Sequence, residues 1–137
     1  IATPDAEFGC PEIHLAAFAP LASLLLPRRI GQPAADDLLL TGRSIPSATA
    51  LAMRLIDDIQ ADPLAAARDW HQRYLLPLSA AALPHAVAAA RLGLHRDLDE
   101  RLPELERRYL DTLIATHDAR EGVEAFLAKR SPRWTHD

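Results

Sequence analysis

Eleven prolines cut this 137-residue chain into short pieces and limit what its elements can be. A proline lacks a backbone N–H and has a locked φ, so it fits the first turn of a helix or the residues after its end. Pro20 and Pro27 bracket Leu21, Leu24 and Leu25, which are spaced for one helical face. Pro33 stands in the first turn of a second helix. There Asp36 and Asp37 suit the positive N-terminal end, Leu38, Leu39 and Leu40 are the expected buried part, and Gly42 is the expected C-cap. A short helix is expected over Ser47 to Arg54, and Leu55 to Gln60 reads as an edge strand. Residues 1 to 15 carry no helical period and have room for one or two short strands.

The second half is more regular. Pro63 opens a helix expected to reach Leu76, with Pro77 ending it. Ser79 suits the cap of an alanine-rich helix over Ala80 to Leu92, with Gly93 as its stop. Leu98, Leu102, Leu105, Tyr109 and Leu113 then follow a helical spacing, with Pro103 near the start of that stretch. Asp118 and Glu121 resemble a capping box opening a last helix, with Val123, Phe126 and Leu127 on one face. Ser131 to Asp137 is expected to be a loose tail. The fold class that follows is mostly α with one or two short strands.

Several function classes are excluded on physical grounds. A net charge of −4 gives no basic face for nucleic acid. No apolar run approaches the roughly 18 residues of a membrane span. A single cysteine, Cys10, cannot form an internal disulfide, which fits a reducing cytoplasm. None of the six histidines is spaced four residues from another, so no metal site is expected. The opening Ile1-Ala2-Thr3 has no Met and no signal-peptide basic region, and it reads like the end of a strand. The chain is therefore expected to be part of a longer one.

Composition and spacing alone stop at a helical domain of unassigned role. The segment Phe8-Gly9-Cys10-Pro11-Glu12-Ile13-His14-Leu15 goes further, because it resembles the Phe-Gly-x-Pro-Glu-Ile-x-Leu-Gly block of the crotonase (enoyl-CoA hydratase and isomerase) family. Leu26-Pro27-Arg28-Arg29-Ile30-Gly31 and Leu39-Leu40-Thr41-Gly42-Arg43-Ser44-Ile45 are similar to that family's next two blocks. The stretch from Asp118 to Arg130 is similar to its closing Asp-x-x-Glu-Gly-x-x-Ala-Phe-x-x-Lys-Arg. Four blocks in the family's order cover nearly the whole chain. Phe18-Ala19-Pro20 is similar to the subfamily that hydrates cyclic dienoyl thioesters.

The resemblance implies the C-terminal part of an α/β crotonase-type spiral. Residues 1 to 60 would end the catalytic core, and residues 61 to 137 would form a helical oligomerisation region. It also implies chemistry. Hydration of an unsaturated thioester needs a base for water, an acid for the α-carbon and donors for the enolate oxygen. One family glutamate maps to Glu12, as general acid/base. The second glutamate and the oxyanion-hole N–H groups are expected to precede Ile1. Phe18 and Pro20 are implied beside the acyl group, and Phe126 and Lys129 beside the adenine and phosphates of coenzyme A. The implied partners are an acyl-CoA substrate and further copies of the chain, as a trimer or dimer of trimers, with no nucleic acid, membrane, metal or cofactor besides the substrate's own coenzyme A. A crotonase-type isomerase or hydrolase, or a non-catalytic oligomerising module, remain as alternatives. Without the block, Glu12 would read as a surface carboxylate, Cys10 as a packing residue and Phe126 as core.

The family pattern also marks three departures. Ala16 and Arg54 stand where the family has glycine, and Ala22-Ser23 replaces paired glycines beside the acyl pocket.

Overall fold

A computed structural model describes residues 1–137 as a run of helices pinned by very little strand. β1 (Glu7–Phe8) pairs antiparallel with β2 (Ile45–Pro46), with Phe8 opposite Ile45. The helices are α1 (Pro20–Ile30), α2 (Gln32–Thr41), α3 (Ser47–Ala52), α4 (Pro63–Trp70), α5 (Ala82–Arg107) and α6 (His117–Leu127). A 3-10 turn, Pro11–Leu15, lies between β1 and α1. π-helical segments follow α4 (His71–Leu75) and α5 (Arg108–Leu113). No helix is long and apolar enough to cross a membrane.

The core gathers where α2, β2 and α3 meet. Leu38, Ile45 and Ala50 are fully buried there, with Phe8, Ile30, Met53, Leu55 and Ile56 packed around them. Gly42 caps α2 as expected: at φ +66° its N–H reaches the Leu38 carbonyl at 3.1 Å. Only Leu38 of the three leucines is fully buried, and Leu40 is 71% exposed. Successive residues turn about 100° around a helix, so Leu38 shares its face with Ala35 while Leu40 points away. The buried Ser47 hydroxyl meets the carbonyls of Thr3 (2.6 Å) and Ala6 (3.0 Å), which ties the N-terminal segment to α3. The expected strand over Leu55 to Gln60 shrinks to one parallel bridge between Ala2 and Ile59.

Two expected helix ends are not ends. α1 continues through Pro27 to Ile30, because the proline removes only the bond to the Ser23 carbonyl. Arg29 holds the far side, reaching Asp57 at 2.6 Å and the Leu55 carbonyl at 3.3 Å. α5 runs unbroken for 26 residues through Gly93 and Pro103. Gly93 does not take the left-handed conformation that ends a helix. Its neighbourhood is held instead by α1, where Arg28 pairs with Asp97 one turn further along α5. The α4 helix and its π extension do stop at Leu76, before Pro77, and Asp62 caps the start by accepting from the Ala65 N–H at 2.9 Å.

The C-terminus also corrects the sequence reading. The N-cap of α6 is Thr116, which accepts from the Ala119 N–H at 3.1 Å; Asp118 and Glu121 form no capping box. Both carboxylates hold the tail instead. Glu121, 9% exposed, accepts from Arg130 Nη2 at 2.8 Å and from the Arg133 N–H at 2.7 Å. Asp118 accepts from the N–H groups of Thr135 (2.8 Å) and His136 (3.0 Å). Ser131 to Asp137 is therefore a strap, not a loose end. The face of α6 that packs is Ala119, Gly122 and Ala125, while Val123, Phe126 and Leu127 face outward.

Arg54 and Ala16, the two residues in the family's glycine positions, both have left-handed backbones, at φ +63° and +51°. A side chain there costs about 1–2 kcal/mol, partly offset by glycine's larger unfolded-state entropy. Arg54→Gly is therefore expected to stabilise the fold by about 0.5–1 kcal/mol, read as a higher melting temperature. A lower one would mean that the Arg54 side chain makes contacts worth more than the strain.

The Arg130 guanidinium and the Arg133 N–H hold the Glu121 carboxyl down at about 2, from an ordinary 4.5. A depressed folded-state value means that the carboxylate stabilises fully above about pH 4.5 and that this contribution is lost as the pH falls toward 2. Acid melting of the wild type is expected to be steeper across that window than melting of Glu121→Gln. Parallel curves would mean that the strap adds nothing to stability.

Candidate active site

Glu12 owes its position to backbone geometry. Pro11 starts the 3-10 turn, and Ala16 ends it in a left-handed conformation. The Ala17 N–H reaches the Glu12 carbonyl, and the Ala16 N–H the Ile13 carbonyl, both at 3.1 Å. Two helices close on this turn. On one side the α2 cap sits so near that a Cβ on Gly42 would stand 2.7 Å from His14 Nε2 and from Ile13 Cγ2. On the other side α6 presses its backbone against Leu15, where a Cβ on Gly122 would stand 2.6 Å from the Leu15 carbonyl carbon. A side chain at Gly122 would have to push α6 off the Leu15 backbone, whereas one at Gly42 would displace the His14 and Ile13 side chains.

Glu12 itself is half-buried. Its Oε2 is shut off from solvent and meets no hydrogen-bond donor of the protein. A shielded carboxylate oxygen with spare lone pairs can hold a water or exchange a proton with a bound molecule. Cys10 lies close by, and burial first, then the Glu12 charge, push its thiol above the ordinary value. That keeps it protonated and a poor nucleophile, as expected for a packing residue. His14 is exposed, with its ring against Gly42.

The other expected site residues fall into two places. Phe18 and Pro20 follow the Glu12 turn directly, Pro20 as the first residue of α1. The Phe18 ring meets Tyr109 edge-to-face, with centroids 5.4 Å apart and planes at 76°. Phe18 also lines two grooves that share Ile13, one of the residues of the turn. Phe126 and Lys129 line neither groove. They lie at the far end of α6, Phe126 65% exposed rather than core, Lys129 exposed at the left-handed residue after the helix. Gly122 connects the two places by seating α6 on the turn.

Sequence reasoning passed over Tyr109 as one member of a leucine stripe; its spacing was visible, its contact with Phe18 was not. It also gave no hint that ligand atoms of His117, Asp118 and Asp137 lie within 4.8 Å of one another. Asp118 there is committed to the N–H groups of the tail, so the cluster reads as part of the strap.

Comparison with known proteins identifies the family and the fold. The profile of the family described as enoyl-CoA hydratase/isomerase matches residues 1–137. The chain is 50% identical over 133 residues to a cyclohexa-1,5-dienecarbonyl-CoA hydratase of Thauera aromatica, covering 97% of this chain and 52% of that protein. It is 31% identical to the 2,3-dehydroadipyl-CoA hydratase of Escherichia coli, covering 96% and 52%. An enoyl-CoA hydratase crystal structure from Mycobacterium avium superposes with a TM-score of 0.83 at 28% identity, covering 97% of this chain and 52% of that one. The chain thus spans about half the length of the curated relatives it matches.

Gly122→Ala is expected to destabilise by about 1–3 kcal/mol, because the new methyl must push α6 off the Leu15 backbone. Thermal unfolding checks it. A melting temperature equal to wild type would mean that α6 does not seat on the turn.

Proposed function

Since this chain belongs to the enoyl-CoA hydratase/isomerase family, we propose that it is the part of a hydratase that supplies Glu12 as general acid/base for adding water to an unsaturated coenzyme A thioester. The observation that carries this reading is the Glu12 oxygen that is shielded from solvent and left without a protein donor. In the reaction the Glu12 carboxylate holds a water and draws off its proton as the oxygen bonds to the β-carbon. Electrons move onto the thioester oxygen, and the α-carbon then takes back the proton that Glu12 drew from the water, which regenerates the carboxylate. Water is thereby added across one double bond with no oxidant or reductant. The reaction needs no cofactor beyond the coenzyme A of the substrate.

A cyclic dienoyl thioester is the favoured substrate. Half of the aligned residues match a hydratase named for one, and the aromatic Phe18 stands beside the Glu12 turn. Phe126 and Lys129 are the coenzyme A contacts in this reading. Both are exposed and so available to adenine and phosphate, Lys129 as a point charge. Residues 61–137 form the oligomerising region of a homotrimer or dimer of trimers working in the cytoplasm, with neither nucleic acid nor membrane as partner. Support comes from large apolar side chains left in the open, among them Trp70, Leu76, Leu110, Phe126 and Leu127.

The test is Glu12→Gln in the protein as encoded at full length, with hydration followed by loss of the enoyl-thioester absorbance. Turnover is expected to fall by about 10²–10⁴-fold with an unchanged melting temperature, because the amide keeps the shape and loses the base. Undiminished hydration would remove Glu12 from the mechanism. A product with a shifted double bond and no added water would make the wild type an isomerase, and an inert wild type would leave oligomerisation as the role.

A further inference from the structure

Two hydrogen bonds tie the N-terminal segment to the stretch after α3. The Ala2 N–H reaches the Asp58 carbonyl at 3.0 Å, and the Gln60 N–H reaches the Ala2 carbonyl at 2.9 Å. They are the two bonds of the parallel bridge between Ala2 and Ile59. A parallel ladder is evenly spaced and repeats every second residue. The rung before this one takes the residue just upstream of Ile1 and sets it opposite Asp57. The groups that such a rung uses are the Ile56 carbonyl and the Asp58 N–H, and neither bonds to a backbone group of residues 1–137.

Ile1 also lines a cavity of about 560 Å³, together with Asp57, Asp58, Ala67 and Trp70. Ala67 and Trp70 belong to α4, with Leu64 one turn before them and Tyr74 in the π extension after them. These four are three or four residues apart and so share one face. That face is open. α4 has no buried residue, and Leu64, Trp70 and Tyr74 are 59%, 52% and 53% exposed. An amphipathic helix is stable when its apolar face is covered.

We propose that α4 is a docking face for the segment directly upstream of Ile1: that segment adds the next rung to the Ala2–Ile59 bridge and then fills the cavity under Ala67 and Trp70. The proposal rests on the reading of this chain as the C-terminal part of a longer protein. The relatives it matches are about twice as long, which supplies the segment. Chain continuity favours that segment over a second copy. The backbone arriving at Ile1 enters through the cavity, so another copy would have to displace it to reach the same face. The open Ile56 carbonyl and Asp58 N–H stand in the register that the arriving backbone needs.

The experiment uses the protein as encoded at full length. Hydrogen exchange of the wild type reads the ladder: the Asp58 amide is expected to exchange about 10²-fold more slowly than an unprotected amide. Exchange at the unprotected rate overturns the proposal. Trp70→Lys reads the face. Its melting temperature is expected to fall by about 5–10 °C, because a charge enters an apolar seat, while the oligomeric mass by light scattering stays that of the wild type. Trp70→Phe keeps an apolar ring and is expected to restore most of the loss. An unchanged melting temperature in Trp70→Lys overturns the proposal, since Trp70 would then be in water. A drop in mass overturns it too and gives the face to a second copy. Should Trp70→Lys fail to fold, the Asp58 amide of the wild type still decides. No readout uses turnover, so a protected Asp58 amide in a protein without hydratase activity would sustain the docking and sink the hydratase reading alone.

Discussion

The Glu12 turn is held between two glycines, Gly122 pressing on the Leu15 backbone and Gly42 on the side chains of Ile13 and His14. Gly42 at the end of α2 and Gly122 inside α6 leave no room for a Cβ where they meet Ile13, His14 and Leu15. A 3-10 turn of five residues has few hydrogen bonds of its own and makes poor ones. Its shape is imposed by what closes on it from either side. Packing against main chain is stiffer than packing against a flexible side chain, so the contact of α6 with Leu15 holds the backbone at that end of the turn. The same closeness lets the turn end in a strained left-handed alanine at position 16, because the surroundings over-determine it.

The two halves of the chain are held together by different forces. Up to about residue 60 a small apolar cluster of Leu38, Ile45 and Ala50 gathers α2, β2 and α3, and a buried serine draws in the N-terminal segment. Beyond it polar clamps dominate. Arg28 fastens α1 to α5 through Asp97, and Asp118 and Glu121 strap the tail across the start of α6. The helices of this second half keep much of their apolar surface in the open. A carboxylate strap keeps its geometry without a deep core, because hydrogen bonds to a charged group are the stronger kind.

Phe18 joins these two systems. It follows the Glu12 turn in sequence, and its ring meets Tyr109 on the segment that continues α5. The π segment is therefore in direct contact with a residue three positions after the Glu12 turn.

Local chemistry was enough to read much of this from the sequence. The Gly42 cap, the helix from Pro63 to Leu76 and the mostly helical character all rest on signals confined to a few neighbouring residues, whereas the choice of Glu12 rests on family resemblance. What failed were inferences about how far a local signal reaches. Pro27, Gly93 and Pro103 each lower helix stability, yet the helices run through all three: Pro27 removes a single backbone bond, Arg28 pairs with Asp97 one turn beyond Gly93, and nothing in the structure accounts for Pro103. Asp118 and Glu121 fit a capping box by spacing, but the tail amides took both carboxylates first. Phe126 looked like core because it is apolar and correctly spaced, and only the seating of Gly122 on Leu15 turned it outward. The sequence by itself determined which residues can cap, bend and carry a proton. The tertiary structure decided which of them meet, because a contact between residues a hundred positions apart leaves no mark on the spacing of either.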